Sequence, residues 1–173
     1  MIGIFSRFFL LLLLIGTIQV LILSNIHVSP LVNVFLFPVF ILILPFGTPR
    51  WFLLLLSLGS GLLIDVLLGT MGMHASAAVS IGYVRPFLID LITPRGTDFD
   101  IHPNIRSQGF YWFSFYVFTS LMIYIGIYIL LEAMNLDNLL FLFTKWILSV
   151  LVSGMVILLF LLLVQSGKKR RFT

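Results

Sequence analysis

Asp65 lies within Ser57 to His74, SLGSGLLIDVLLGTMGMH, a stretch otherwise apolar enough to sit in lipid. Nothing else in the chain restricts the fold so tightly. An isolated carboxyl group in hydrocarbon is so costly that it must face protein or a wet cavity. Ser57, Gly61, Asp65 and Gly69 recur every four residues, and on a helix of about 3.6 residues per turn they form one slowly spiralling ridge. Small residues on such a ridge let a second helix backbone approach closely. This helix is therefore expected inside a bundle. Asp65 is then either a structural hydrogen-bonding residue that fixes helix register or a contact or ligand site.

Composition says what surrounds that bundle. Apolar residues make up 61% of the 173 and charged residues 9%, with mean hydropathy +1.20. A soluble core of this size needs far more polar cover, so the bilayer must be the solvent for most side chains. One all-α integral membrane domain follows. The absence of cysteine excludes disulfides, thiolate metal sites and cysteine nucleophiles. Although the pI is near 9.8, the basic residues stand at the ends of apolar runs, a pattern of membrane topology that implies no nucleic-acid partner.

Six transmembrane helices are predicted, at about 5–24, 31–46, 51–69, 73–92, 110–131 and 139–164. The first is read as uncleaved, because Ser24, Asn25, Ile26 and His27 offer no small-x-small cleavage site. The second carries Pro38 and Pro45, which kink a helix, though a membrane bundle can re-satisfy the freed carbonyls. Gly69 to Gly72 turns the chain between the third and fourth, and the fourth opens with Ala75, Ser76, Ala77, Ala78, Ser80 and Gly82. Small residues on both arms imply a closely packed hairpin. From His74 to Arg85 is only about 16 Å at 1.5 Å per residue, so this span must continue through Pro86 to about Ile92, leaving Arg85 submerged. A polar loop, 93–109, and a basic tail, 165–173, complete the chain.

Placing both termini in the cytoplasm puts nine of the ten lysines and arginines inside, in agreement with the positive-inside rule. Lys145 remains near the outer side, where Glu132 or Asp137 could form a rim ion pair with it. The terminal Lys168, Lys169, Arg170 and Arg171 anchor topology and attract anionic membrane lipid.

Enzyme chemistry finds no foothold in the spans. Gly59, Ser60 and Gly61 invite comparison with an intramembrane serine nucleophile, but no histidine base is available on a facing helix. His27, His74 and His102 have no metal-ligand spacing, and nothing in the sequence calls for a cofactor. Asp65 and Arg85 are separated by roughly 10 Å in depth by helix rise. The preferred reading has Arg85 snorkelling to the inner headgroups and Asp65 bonded to a hydroxyl or a backbone group. A water-bridged pair is the other. His74, across the turn, is the nearer neighbour for Asp65.

GLLIDVLLGTMGMHASAAVSIGYVRPF, Gly61 to Phe87, resembles the signature of the rod shape-determining protein MreD family in its Bacteroidetes-type form. A glycine stands four residues before an intramembrane aspartate, a glycine-bearing turn follows, and a small-rich helix ends in Arg-Pro. Chain length, the Pro94-Arg95-Gly96 loop and the Leu131-Glu132 end of the fifth span fit too, so the resemblance covers essentially the whole chain. Gly61, Asp65, Gly69, Gly72 and His74 match the family pattern. The resemblance implies a non-enzymatic inner-membrane component of the bacterial cell-elongation machinery. Its implied partners are an MreC-type periplasmic scaffold, the MreB filament, a RodA-type glycosyltransferase and a class B penicillin-binding protein. It also implies a fold similar to the substrate-binding subunits of energy-coupling-factor transporters. A small-ligand-binding transporter subunit is the alternative, and it would need several polar groups converging on one pocket.

Overall fold

The computed structural model describes residues 12, 14–23, 31–93, 103, 108–133 and 138–167, and every regular element among them is helical. Chain 14–23 is helical and closes on a π-helical turn, Gln19–Leu23. A short helix α1 (Pro38–Leu42) follows, then α2 (Arg50–Leu68), α3 (Met73–Ile92), α4 (Phe110–Glu132) and α5 (Leu139–Gly167). The last four are long and apolar enough to cross a membrane. The chain is thus a multi-pass membrane protein.

The third to sixth predicted spans coincide closely with α2 to α5, and α3 continues through Pro86 to Ile92 without a break. Of the predicted span 5–24, residues 14–23 are helical. Residues 1–11, 13, 24–30, most of the loop 93–109, the turn residues 134–137 and the tail from 168 lie outside the described residues, and with them His27, His102 and Asp137.

The predicted helix over 31–46 is corrected. Residues 33–36 carry no helix, and Pro38–Leu42 forms a single five-residue turn that is entirely buried. Proline explains both ends: Pro38 sits where a helix tolerates a missing N–H, and Pro45 cannot continue the one it follows. Extended chain in a membrane interior must find hydrogen-bond partners in protein. Here helices supply them by side chain, on alternating sides. The Asn33 and Phe35 amides donate to Ser149 Oγ and Ser153 Oγ of α5 at 3.0 and 2.9 Å. On the opposite side Gln19 Nε2 donates to the Val34 carbonyl at 3.0 Å, while Gln19 Oε1 accepts from Leu36 N at 2.7 Å. The registers match because one helical turn of four residues rises about 6 Å and two strand residues about 6.6 Å.

This segment runs along α3 from His74 to Arg85. Phe35 packs on His74 near the start of that helix, and the Leu44 carbonyl accepts from Arg85 a little over three turns later. The core it completes includes Phe35, Phe37, Phe40, Leu53, Ile64, Ala77, Ala78, Tyr116, Leu121 and Tyr124, all nearly or fully buried.

Candidate functional site

Two buried polar clusters lie about three turns apart on α3, one at its start and one at Arg85. The first forms where α2 turns into α3. Gly69 closes α2 at φ +68° and Gly72 precedes α3 at φ +79°, left-handed conformations that glycine adopts without a Cβ penalty. Gly72 therefore holds the capping position but has no side chain with which to cap. Asp65 substitutes from the preceding helix: its carboxylate accepts the His74 amide at 2.9 Å and the Ala75 amide at 2.8 Å, the groups an N-cap residue normally satisfies. Thr70 Oγ1 donates to the same carboxylate at 2.6 Å. An anion at a helix start is also favoured by the macrodipole. The acid is 5% exposed and fully engaged within the chain.

Close helix contact makes this reach possible. A Cβ on Gly61 would lie 2.5 Å from the Ala75 Cα, so the α2 and α3 backbones touch one turn below Asp65. Farther along the hairpin, a Cβ on Gly82 would meet Ser57 Oγ at 2.5 Å. Of the sequence ridge, Ser57, Gly61 and Asp65 are buried, while Gly69 emerges at the turn.

His74 contributes its backbone to Asp65 and its ring to another neighbour. Nδ1 and the Tyr124 hydroxyl of α4 share a hydrogen bond of 2.6 Å. Phe35, Tyr124 and Tyr128 surround the imidazole, with ring centroids 5.8, 6.2 and 4.8 Å away. The histidine is 1% exposed, so this nest ties α3, α4 and the extended segment together.

The second cluster centres on Arg85. The expected snorkelling to the headgroups is corrected: Arg85 is 1% exposed and turned into the bundle. Its Nε donates to Tyr116 Oη of α4 at 2.8 Å, and its Nη2 to the Leu44 carbonyl, with Pro45 O at 3.5 Å. Tyr116 Oη in turn donates to the Leu42 carbonyl at 3.3 Å. These carbonyls lie where α1 ends, and an arginine fork satisfies several acceptors at once. Asp65 and Arg85 make no pair, because Asp65 caps the start of α3 while Arg85, about three turns farther along, faces the carbonyls after α1.

Lys145 and Glu132 form the rim ion pair, Nζ to Oε2 at 2.7 Å. Among the described residues no group of acidic residues and histidines could hold a metal ion. A cavity of about 530 Å³ lies between α4 and α5, lined by Gly126, Ile129, Leu130, Leu139, Leu140, Leu142, Phe143 and Trp146. Its walls carry none of the charged residues of the two clusters.

Gln19, Tyr116, Tyr124, Ser149 and Ser153 are the site residues that sequence reasoning did not single out as such. Their signal was periodic. Tyr116, Ser120, Tyr124 and Tyr128 recur every four residues on α4, as do Lys145, Ser149 and Ser153 on α5, and each row faces inward. No protein-family model, no curated protein and no solved structure matches the chain.

Proposed function

We propose that the chain is a non-enzymatic scaffold of the bacterial inner membrane that binds partner transmembrane helices in the cell-elongation, peptidoglycan-synthesising machinery, as its resemblance to the MreD family implies. Six crossings with both termini cytoplasmic belong to this reading, as does the likeness to energy-coupling-factor transporter subunits. A partly extended segment as short as Leu31 to Phe46 is compatible with six crossings, because extended chain rises about 3.3 Å per residue against 1.5 Å in a helix. The partners would be the MreC-type scaffold, the MreB filament, the RodA-type glycosyltransferase and the class B penicillin-binding protein.

What supports the scaffold most is how the polar groups are used. Asp65, His74 and Arg85 are spent on backbone ends and on tyrosines inside the chain, while the cavity between α4 and α5 is apolar. Such an arrangement makes a stiff hairpin whose outward surface is left for recognition. The outward surface of α2 offers Leu55, Leu58, Leu62 and Val66 around Gly59, which has open space at its Cβ position. A photo-crosslinker at Leu58 or Leu62 in intact cells should capture a membrane component of the elongation machinery. Capture of lipid alone from both positions would remove this face from the proposal.

The broken segment favours a second reading. Discontinuous membrane segments mark binding sites in many transporters. A small-ligand subunit would then place its ligand beside the extended residues 33–36, and ligand-dependent thermal stabilisation of the purified chain would distinguish it from the scaffold.

A further inference from the structure

We infer that the groove between α4 and α5 holds one acyl chain of a zwitterionic aminophospholipid, with the headgroup amine against the Glu132 carboxylate. This goes beyond the scaffold reading and does not rest on it.

The groove is built rather than incidental. Gly126 leaves room for the Trp146 indole, whose Nε1 would lie 3.3 Å from a Cβ at that position. The indole N–H is already spent on the Met122 carbonyl at 2.9 Å, so the tryptophan presents only its ring to an occupant. Leu130, Leu139 and Leu140 are 63, 66 and 79% exposed, so the walls open sideways to the surroundings of the bundle. A volume of about 530 Å³ is that of a small-ligand site.

Charge at the rim selects the headgroup. Glu132 stands at the end of α4, three residues past Ile129, and Lys145 adjoins Trp146 on α5. In their ion pair the lysine side chain is 11% exposed and the glutamate side chain 37%. The base is turned in and the acid faces out, so the accessible partner for a headgroup is an acceptor oxygen. A primary ammonium can donate to it. Phosphatidylglycerol brings no cation for this position.

The full-length protein, reconstituted in nanodiscs of equimolar phosphatidylethanolamine and phosphatidylglycerol and released for native mass spectrometry, tests this. Phosphatidylethanolamine should be retained over phosphatidylglycerol by about fivefold, the size of one exposed charge contact. Glu132→Gln removes the acceptor charge and leaves Lys145 unpaired, so it should abolish or reverse the preference for phosphatidylethanolamine while chain retention persists, and Leu139→Trp, which fills the groove from an exposed position, should abolish retention of both. Equal retention of the two lipids by the wild-type protein would overturn the headgroup assignment, and unaltered retention by Leu139→Trp would overturn the groove. A measurement that needs no variant is photo-crosslinking with an acyl-chain diazirine phosphatidylethanolamine and peptide mapping. Adducts should concentrate between residues 126 and 146, and an even spread over the exposed faces of α2 and α3 would sink the site.

Discussion

Asp65 acts as a helix cap placed eight residues before the helix it caps. Its two amide partners are the second and third residues of α3, and no side chain at Gly72 could replace it. Asp65→Asn keeps one acceptor oxygen and loses the charge, so it should lower stability by about 1 to 2 kcal/mol, and Asp65→Leu by more, because both amides lose their partner where water is scarce. Thermal unfolding of the purified protein in nanodiscs measures both, and a Leu variant as stable as wild type would deny the capping role. Gly61 permits that geometry. Gly61→Val must push apart two backbones rather than a flexible side chain, so it should prevent a stable hairpin, whereas Gly59→Ala, with open space at its Cβ, should be tolerated. Arg85 poses a sharper chemical test: Arg85→Lys retains the charge but not the fork that reaches Tyr116 and the Leu44 carbonyl together, and should be nearly as unstable as Arg85→Met.

At the scale of elements, the extended stretch 33–36 behaves as a strand whose neighbouring strands have been replaced by side chains from two helices. Each bond to Ser149, Ser153 or Gln19 serves a backbone group that lipid could not satisfy. Ser153→Ala should cost about 1 to 3 kcal/mol by stranding the Phe35 amide. Gln19→Leu strands groups on the opposite side of the same segment. Because either loss frees the same stretch of chain, the double variant should be less destabilised than the sum of the singles, by roughly 0.5 kcal/mol or more in a double-mutant cycle. Simple additivity would mean that the two helices hold the segment independently. The His74 nest belongs to the same unit, since Phe35 packs on His74, Tyr124 and Tyr128 at once.

Across the whole molecule, the cysteine-free sequence allows topology to be read directly. Met71 is 98% exposed at the α2–α3 turn, and Gly47 is exposed at the far end of the hairpin. In the proposed orientation Met71→Cys should react with an impermeant maleimide applied to the periplasmic side, and Gly47→Cys should react only after the inner membrane is opened. The reverse pattern would invert the orientation. The sequence by itself determined the membrane class, the four long helices, the tight α2–α3 hairpin and the inward placement of Asp65, because hydropathy, glycine spacing and the cost of a charge in lipid are local or nearly local properties. It pointed to helix over 31–46 because hydropathy measures burial and is silent on backbone conformation once protein, rather than lipid, surrounds the chain. Only the tertiary structure decided that Gln19, Ser149 and Ser153 could satisfy an extended segment, and that Arg85 turned inward to carbonyls rather than outward to headgroups. Each of those outcomes depends on hydrogen-bond partners 15 to 120 residues distant in the chain, a separation at which no periodicity in one segment reports what the other supplies.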